Sequence, residues 1–191
     1  MHRRELLDLL GRHRSRFMEE AAYVRRAIHW VNAHENVFDR HLLPAHVTGS
    51  AWVVNPDRGH ILLLHHRKHD QWFQPGGHAD GDADVLRVAL RECEEETGLA
   101  ADAIRLLQPQ IFDVDIHDIP AGPEAPRHAH IDVRFLVEID DRRDIPGNHE
   151  SHDVRWVPLH EVPRYNNNRS TYRMLEKTRE LRNATAAYAV G

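Results

Sequence analysis

The chain has 191 residues, of which 41% are hydrophobic and 29% are charged. That balance is typical of a globular protein, and the length suits one domain with extensions better than two full domains. Acidic residues outnumber basic ones by 30 to 25, which gives a formal net charge of −5. A chain of this charge is poorly suited to binding the phosphate backbone of DNA or RNA, so no nucleic-acid partner is expected.

Cysteine usage and hydropathy limit the compartment. Cys93 is the single cysteine, so neither an internal disulfide nor a Cys-x-x-Cys metal or redox pair can form. The start of the chain, MHRRELLDLLGRHRSRF, carries charges on both sides of a short apolar run and lacks a small-residue cleavage site. No run of apolar residues approaches the roughly 18 that a membrane-spanning helix needs. We therefore expect a cytoplasmic protein with no membrane partner.

Apolar residues at alternating steps of four and three predict a helix over about residues 15–33. The stripe consists of Phe17, Ala21, Val24, Ile28 and Val31. A shorter helix is expected before it, ending near Gly11. We expect residues 1–44 to form a helical extension that packs on the main domain, with a dimerisation helix as the alternative.

From Ala45 onward the sequence predicts short strands around one central helix. HVTGSAWVV and HILLLHHR flank the turn NPDRG and predict a hairpin, and WFQPGG ends a third extended segment. IFDVDIH, HIDVRFLVEI and VRWVPL are further strands, and a closing helix is predicted from Ser170, as its N-cap, to about Ala187. This order predicts the α/β (α+β) class, an α/β/α sandwich around a mixed sheet, in a main domain of residues 45–191.

The segment GGHADGDADVLRVALRECEEETGL, residues 76–99, gathers acidic residues on one helix. At about 100° per residue, Glu92, Glu95 and Glu96 form one connected patch, whereas Glu94 lies on the other flank. The face expected to be buried consists of Leu86, Ala89, Leu90, Cys93 and Thr97.

Two interpretations of this acidic patch are open. Like charges four residues apart cost only about 0.2–0.5 kcal/mol on a solvated helix, so an ordinary acidic surface is allowed. The other interpretation is a site for Mg²⁺ or Mn²⁺, which select carboxylate and carbonyl oxygens and commonly bind together with substrate phosphates. Gly76 and Gly77 would let the backbone approach a ligand closely, which favours a phosphate or diphosphate substrate.

The same residues resemble the signature of the Nudix family: Gly, five residues, Glu, seven residues, then Arg-Glu-aliphatic-any-Glu-Glu-any-Gly-aliphatic in a loop–helix–loop. The matching positions are Gly77, Arg91, Glu92, Cys93, Glu95, Glu96, Gly98 and Leu99. The first glutamate of the signature would fall at Ala83, where Asp82 and Asp84 are the neighbouring carboxylates. We interpret this departure as a change in how the metal ion is held, and not as a loss of activity.

The resemblance implies a Nudix-like fold and a Mg²⁺-dependent hydrolase. Its substrate would be a nucleoside diphosphate linked to another moiety, or a related diphosphate, and water would attack a phosphorus atom. Carried over by position, the metal ligands would be Glu92, Glu95, Glu96 and the backbone carbonyl of Gly76. Arg91 would orient a helix glutamate, and Glu92 is the candidate for orienting or deprotonating the attacking water.

Polar residues also alternate along the two strands that follow the helix. His128, His130 and Asp132 share one face of their strand, and the acidic residues of IFDVDIH alternate likewise, so pairing would join them in one surface. That surface is either solvated, or contacts substrate phosphate, or binds a further metal. His78 could reach a phosphate, and Trp72 could stack a base, although core packing is the alternative for Trp72.

Two other functions fit the same signature. A non-catalytic nucleotide-binding or sensing module is possible because of Ala83. An isopentenyl-diphosphate isomerase-like enzyme relies on a catalytic cysteine, and the expected burial of Cys93 argues against it. Glu138 and Glu150 are both candidates for an extra metal ligand or base, and the sequence does not choose between them. The partner is expected to be a small nucleotide or diphosphate, and the chain is expected to be a monomer or a homodimer.

Overall fold

The computed structural model of the chain describes residues 3–122 and 125–189. Its helices are α1 Arg4–Arg12, α2 Met18–Ala33, α3 Val85–Thr97, α4 Val162–Tyr165 and α5 Arg169–Ala189. Its strands are β1 Ala45–Val54, β2 His60–His66, β3 Gln71–Phe73, β4 Gly76–His78, β5 Arg105–Leu106, β6 Asp113–Ile119, β7 His128–Glu138 and β8 Ser151–Pro158. None of the described helices is long and apolar enough to cross a membrane.

The described strands are hydrogen-bonded in the order β3-β2-β1-β7-β5, with β4 beside β1, β6 beside β7 and β8 beside β2. This mixed sheet with several helices confirms the expected α+β class. Two compact units can be distinguished along the chain. The first comprises the described residues up to Ala51, with Gly76–Glu92 and Gln108–Phe135; the second comprises Trp52–Pro75, Cys93–Leu107 and the described residues from Leu136 onward. The division at residue 44 stays a prediction.

The first unit contains the strand pairs that hold the candidate site. β6 and β7 pair antiparallel with Asp115 opposite Asp132 and His117 opposite His130, so the predicted joining of their polar faces is confirmed. β4 pairs antiparallel with β1, placing Gly77 opposite Gly49. A three-residue strand such as β4 has no alternation of its own, and pairing with β1 supplies its backbone hydrogen bonds.

Helix α2 attaches to this unit through a buried carboxylate as well as through its apolar stripe. Val24 and Val31 are buried as predicted, but the fully buried side chain near the start of the helix is Glu20. Its Oε1 accepts hydrogen bonds from the backbone N–H of Val114 in β6, at 3.1 Å, and pairs with Nε2 of His13, at 2.8 Å. Periodicity of apolar residues could not reveal Glu20, because its side chain is polar and its partner in the sheet, Val114, is distant in the sequence.

In the second unit, β2 pairs with the end of β1, with β3 and with β8, all antiparallel. The predicted hairpin is confirmed: Asn55 closes its turn because its Oδ1 accepts the backbone N–H groups of Gly59 and His60, at 2.9 and 3.0 Å. Helix α5 packs here through Thr178, whose hydroxyl accepts Nε1–H of the buried Trp52.

The predicted N-cap of the closing helix is wrong: it lies two residues before Ser170. Helix α5 begins at Arg169, and Ser170 lies inside it and is buried. The backbone carbonyl of Asn168 accepts the N–H of Tyr172, so Asn168 stands in the position that we assigned to Ser170. Both residue types favour the N-cap, and sequence alone does not choose between them.

Candidate active site

The acidic residues of α3 differ sharply in exposure. Glu95 is exposed, Glu92 is half-buried, and Glu96 is only 6% exposed. The buried arc is therefore rotated from the predicted one: Leu86 and Leu90 are half-exposed, whereas Val85 and Val88 are buried. The rotation carries Glu96 into the buried arc, and Glu92, although only half-buried, lies between Val88 and Val85 on the helix surface.

Glycine explains why this side of α3 lies so close to the strands. A Cβ at Gly49 of β1 would stand 2.8 Å from the backbone oxygen of Val85 and 3.2 Å from the nitrogen of Ala89. A Cβ at Gly77 of β4 would stand 2.5 Å from the carboxyl carbon of Glu92. Real Cβ atoms essentially never come within 3.0 Å of another heavy atom. At Gly49 the obstacle is the backbone of α3, so this position needs glycine, whereas at Gly77 a Cβ would force the Glu92 carboxylate to move. The carboxylate of Glu92 is thus seated directly on the backbone of β4.

Arg91 holds Glu92 in this position. Its Nη2 donates to Glu92 Oε1 at 2.8 Å and to the backbone oxygen of His78 at 3.1 Å. A guanidinium that bridges a carboxylate and a strand carbonyl fixes both in one geometry. The structure therefore brings together Gly77, His78, Arg91 and Glu92.

The loop before α3 shows what occupies the region around Ala83. Asp84 caps the helix, because its Oδ1 accepts the backbone N–H of Arg87 at 3.0 Å. Asp82 accepts two hydrogen bonds from the Arg87 guanidinium, at 2.8 and 2.6 Å, and this pair holds the pKa of Asp82 below its ordinary value. Both carboxylates suggested as neighbours of the missing glutamate are engaged in forming the start of the helix.

A cluster of histidines lies in the first unit, on β1, β4 and β7. His46, His78 and His130 each offer a ring nitrogen, and these three nitrogens lie within 4.8 Å of one another. The ring of His46 is 5.2 Å from that of His78 and 4.9 Å from that of His130, centre to centre. The rings of His128 and His117 border the cluster, at 5.2 and 5.6 Å from the His130 ring.

The cluster favours neutral imidazoles. Burial lowers the pKa of His46, lowers the pKa of His78 to about 4, and lowers the pKa of His130 to about 2. Neighbouring histidine rings act in the same direction on all three, and the charge of Arg40 does so on His46 and His78. Each ring therefore keeps a nitrogen lone pair at neutral pH.

Asp132 is placed in a buried ionic network rather than on a solvated surface. Its Oδ1 accepts the hydroxyls of Ser50 and Thr48, at 2.7 and 3.1 Å, and its Oδ2 accepts Nε–H of Arg134 at 2.7 Å. Although burial opposes the charge of Arg134, the carboxylates of Asp132, Asp115 and Asp113 raise its pKa. The solvated-face interpretation is wrong here, because four of these charged side chains are buried: Asp113, Asp115, Asp132 and Arg134.

Trp72 lies in the second unit and already has ring partners. The His65 ring stacks on it with centres 4.9 Å apart and planes 7° apart, and the Arg155 guanidinium carbon is 5.4 Å from its centre. Base stacking by Trp72 stays a prediction.

Glu138 accepts Nε–H of Arg105 at 3.0 Å, and Glu150 is exposed.

A cleft of about 360 Å³ in the first unit is lined by Arg26, Trp30, Arg127 and His128, among others. Of the residues predicted to bind substrate, only His128 lines it. His128 also pairs through Nδ1 with the carbonyl of Pro126, at 2.8 Å.

The residue that sequence reasoning missed is His46. It is the first residue of HVTGSAWVV, which we interpreted only as one strand of a hairpin. In a strand, residues two apart share a face, so His46, Thr48 and Ser50 lie on one face. That run of polar residues was the available signal.

These features together define the class of protein. A glycine pair, a short strand and an acidic helix seated on it form the Nudix arrangement, and a model of the NUDIX domain matches residues 44–178. The chain belongs to the Nudix family.

Two curated relatives show what this chain is similar to. The probable DHNTP pyrophosphohydrolase of Lactococcus lactis subsp. cremoris (strain MG1363) is 30% identical over 98 residues, which cover 50% of this chain and 55% of the relative. Phosphatase NudJ of Escherichia coli (strain K12) is 33% identical over 102 residues, which cover 52% of this chain and 59% of NudJ. The chain therefore spans less than two thirds of the length of either relative.

Solved structures share the fold. A C. elegans Ap4A hydrolase in a binary complex aligns with a TM-score of 0.58 at 17% identity, covering 71% of this chain and 96% of that one. A NUDIX-family hydrolase from Clostridium perfringens aligns with a TM-score of 0.52 at 23% identity, covering 71% and 97%. At such identities the likeness shows the fold alone.

Proposed function

We propose that this protein is a Nudix-type hydrolase that cleaves a diphosphate bond with the help of Mg²⁺, Mn²⁺ being an alternative ion. The substrate would be a nucleoside diphosphate linked to another moiety, or a related diphosphate. The observation that carries this proposal is the seat of Glu92: its carboxylate lies on the backbone of Gly77 and is held by Arg91.

The residues present fit a hard divalent cation. Glu92, Glu95 and Glu96 lie on one helix at steps of three and one, and the backbone carbonyl of Gly76 belongs to the strand on which that helix sits. These oxygen donors would hold the ion. Once bound, it would supply neutralisation of the charge on the diphosphate and acidification of a water molecule.

The remaining steps belong to the side chains. Arg91 would restrain the Glu92 carboxylate beside β4, because its Nη2 donates to that carboxylate and to the carbonyl of His78. Glu92 would orient the attacking water or accept its proton. The loss of the signature glutamate at Ala83, with Asp82 and Asp84 engaged elsewhere, would leave the site with fewer supporting carboxylates than the signature provides.

The names of the relatives support a small nucleotide-like substrate. Those relatives are described as a probable DHNTP pyrophosphohydrolase and a phosphatase. Cytoplasmic location, and a monomer or homodimer, stay predictions.

A non-catalytic sensing module is the second candidate, and Ala83 is the observation that favours it. An isomerase that uses a cysteine is disfavoured. Cys93 is fully buried, and burial, together with the charges of Glu96 and Glu94, raises the pKa of its thiol to about 12. A thiol in that state is a poor nucleophile.

The test is a Mg²⁺-dependent assay of phosphate and nucleotide release. The panel comprises nucleoside triphosphates, ADP-ribose, NADH, dinucleoside polyphosphates and non-nucleotide diphosphates. We expect turnover of at least one compound, and we expect Glu92→Gln or Glu95→Gln to lower kcat by about 100-fold or more, since each removes a charged ligand.

The matched control is Glu94→Gln, which makes the same chemical change on the other flank of the same helix and should leave kcat nearly unchanged. Equal rates for Glu92→Gln and the parent protein would refute the assignment. Tight nucleotide binding without turnover would favour the sensing module.

A further inference from the structure

We propose that His46, His78 and His130 form a second metal site, for a divalent transition metal of the zinc class. The site uses other ligands and another chemistry than the glutamates of α3, so it goes beyond the proposed hydrolysis. It also differs from the metal site that the sequence suggested, because Asp132 is engaged with Ser50, Thr48 and Arg134.

The first argument is geometric. The three ligand nitrogens lie within 4.8 Å of one another. On a tetrahedral zinc ion with Zn–N distances of about 2.0–2.1 Å, ligand nitrogens stand roughly 3.3 Å apart. To bind one zinc ion, the three nitrogens would therefore have to approach one another by at most roughly 1.5 Å, which small rotations of the side chains can supply. The three residues belong to three different strands, whose backbones hydrogen bonding holds in place.

The second argument is that nitrogen atoms in this cluster are buried without a partner. His46 is 1% exposed, and its Nε2 has no hydrogen-bond partner among the described residues. The same holds for Nε2 of His130. An unpaired buried polar atom costs about 1–3 kcal/mol, so such atoms in native proteins need an explanation, and a bound ion is one.

The third argument concerns the orientation of His46. Its Nδ1 lies 3.2 Å from the backbone carbonyl of Leu42, where only a protonated Nδ1 can donate. This leaves the lone pair on Nε2, which is the atom without a partner. Metal-ligating histidines almost always donate their other nitrogen to a carbonyl or carboxylate in this way, which fixes ring and tautomer.

The donor set selects the ion. Three imidazoles without carboxylate or carbonyl oxygens do not suit Mg²⁺, whereas imidazole suits zinc, cobalt, nickel and copper. Three histidines hold a tetrahedral ion with one position left for water or a fourth ligand. The ring of His128 lies 5.0 Å from that of His46, outside the group of three.

The experiment uses the whole 191-residue chain, stripped with a chelator and kept in millimolar Mg²⁺ so that the oxygen site is filled. Titration with Co²⁺ should give one bound ion per chain with the strong visible absorption of four-coordinate cobalt, and Zn²⁺ should displace it. Loss of a ligand should weaken binding more than the 10- to 100-fold typical of outer-shell mutations. We therefore expect His78→Asn and His130→Asn each to raise the Kd for Co²⁺ by about 100-fold or more.

His160→Asn is the control, because that side chain is 79% exposed, and it should bind Co²⁺ like the parent protein. Circular dichroism checks that each variant is folded. Should both variants unfold, ¹⁵N shifts of the histidine side chains in the parent protein decide, since Zn²⁺ must move those of His46, His78 and His130.

No stoichiometric uptake by the parent protein, only the weak absorption of six-coordinate cobalt, or equal affinity in folded His78→Asn and His130→Asn would each overturn the site. Because the titration measures the metal alone, its failure leaves the hydrolysis assay unaffected, and the reverse also holds.

Discussion

The contact between Gly77 and Glu92 shows how one missing side chain positions a functional one. Any residue larger than glycine at position 77 would place a Cβ inside the space of the Glu92 carboxyl group. The same backbone position brings the Arg91 guanidinium to the carbonyl of His78. The signature glycine is thus explained by the space that Glu92 occupies.

We predict that Gly77→Ala lowers kcat/KM by at least about tenfold while the protein stays folded, because displacement of a catalytic group by an ångström can cost about 100-fold. Steady-state kinetics on the substrate found with the release panel, together with circular dichroism, measures this. Gly11→Ala is the control, since a Cβ there meets nothing within 4 Å. A Gly77→Ala protein with parental kinetics would show that Glu92 does not need this seat.

Sequence reasoning gave the long helices and strands, and failed where the surroundings of a side chain depend on residues distant in the sequence. The joint role of Glu92, Glu95 and Glu96 stays a prediction from the pattern on α3. That pattern did not predict the burial of Glu96, because the packing of α3 depends on Gly49, far earlier in the chain. His46 was missed for the same reason, since its neighbours belong to β4 and β7.

At the scale of elements, the start of α3 combines two interactions of unequal strength. Asp84 caps the helix by accepting the backbone N–H of Arg87. Asp82 forms an ion pair with the Arg87 side chain, which is 67% exposed. An N-cap contributes about 0.5–2 kcal/mol, whereas an exposed ion pair contributes about 0–1 kcal/mol.

We therefore predict that Asp84→Ala lowers the free energy of unfolding by about 1 kcal/mol, and that Asp82→Ala lowers it by about half as much or less. Urea denaturation of the two variants, which make the same kind of truncation two residues apart, measures the difference. If Asp82→Ala proved the more harmful, the ion pair rather than the cap would define where the helix begins.

The turn signal NPDRG correctly predicted the hairpin of β1 and β2, and alternation correctly predicted β6 and β7, which pair as expected. The short elements β4, β5 and α4 carried too few residues for any period to show. Their conformations depend on pairing with β1 and β7, or on a single turn after β8, and these are properties of the folded chain.

At the scale of the whole molecule, the buried histidines should make stability depend on pH. The pKa of His78 is about 4 and that of His130 about 2 in the folded chain, whereas histidines in the unfolded chain titrate near 6.5. Below about pH 6.5 these histidines therefore bind protons in the unfolded chain but stay neutral in the folded chain, which favours unfolding. The charge of Arg40 further lowers the pKa of His78, and the carboxylate of Asp80, which pairs with Arg40, partly opposes this effect.

We predict that the metal-free protein has its full stability above about pH 6.5 and loses stability as the pH falls from there toward 4. Chemical denaturation at pH 7 and pH 5, in the presence of a chelator, measures the loss. His78→Asn should lose less between these two values than the parent protein, while His160→Asn should lose as much. An identical loss in His78→Asn would contradict the lowered pKa of that side chain.

Glu20 carries a practical consequence for anyone who wants a shorter version of this protein. A gene trimmed to the span that matches the family would begin after Glu20, and the N–H of Val114 would lose the carboxylate that accepts it. The same cut would strip away Leu6, Leu10 and Val31, all of which are buried. Expression for crystallisation or screening should therefore start upstream of α1, since the first two helices complete the interior that a minimal version would leave open to water.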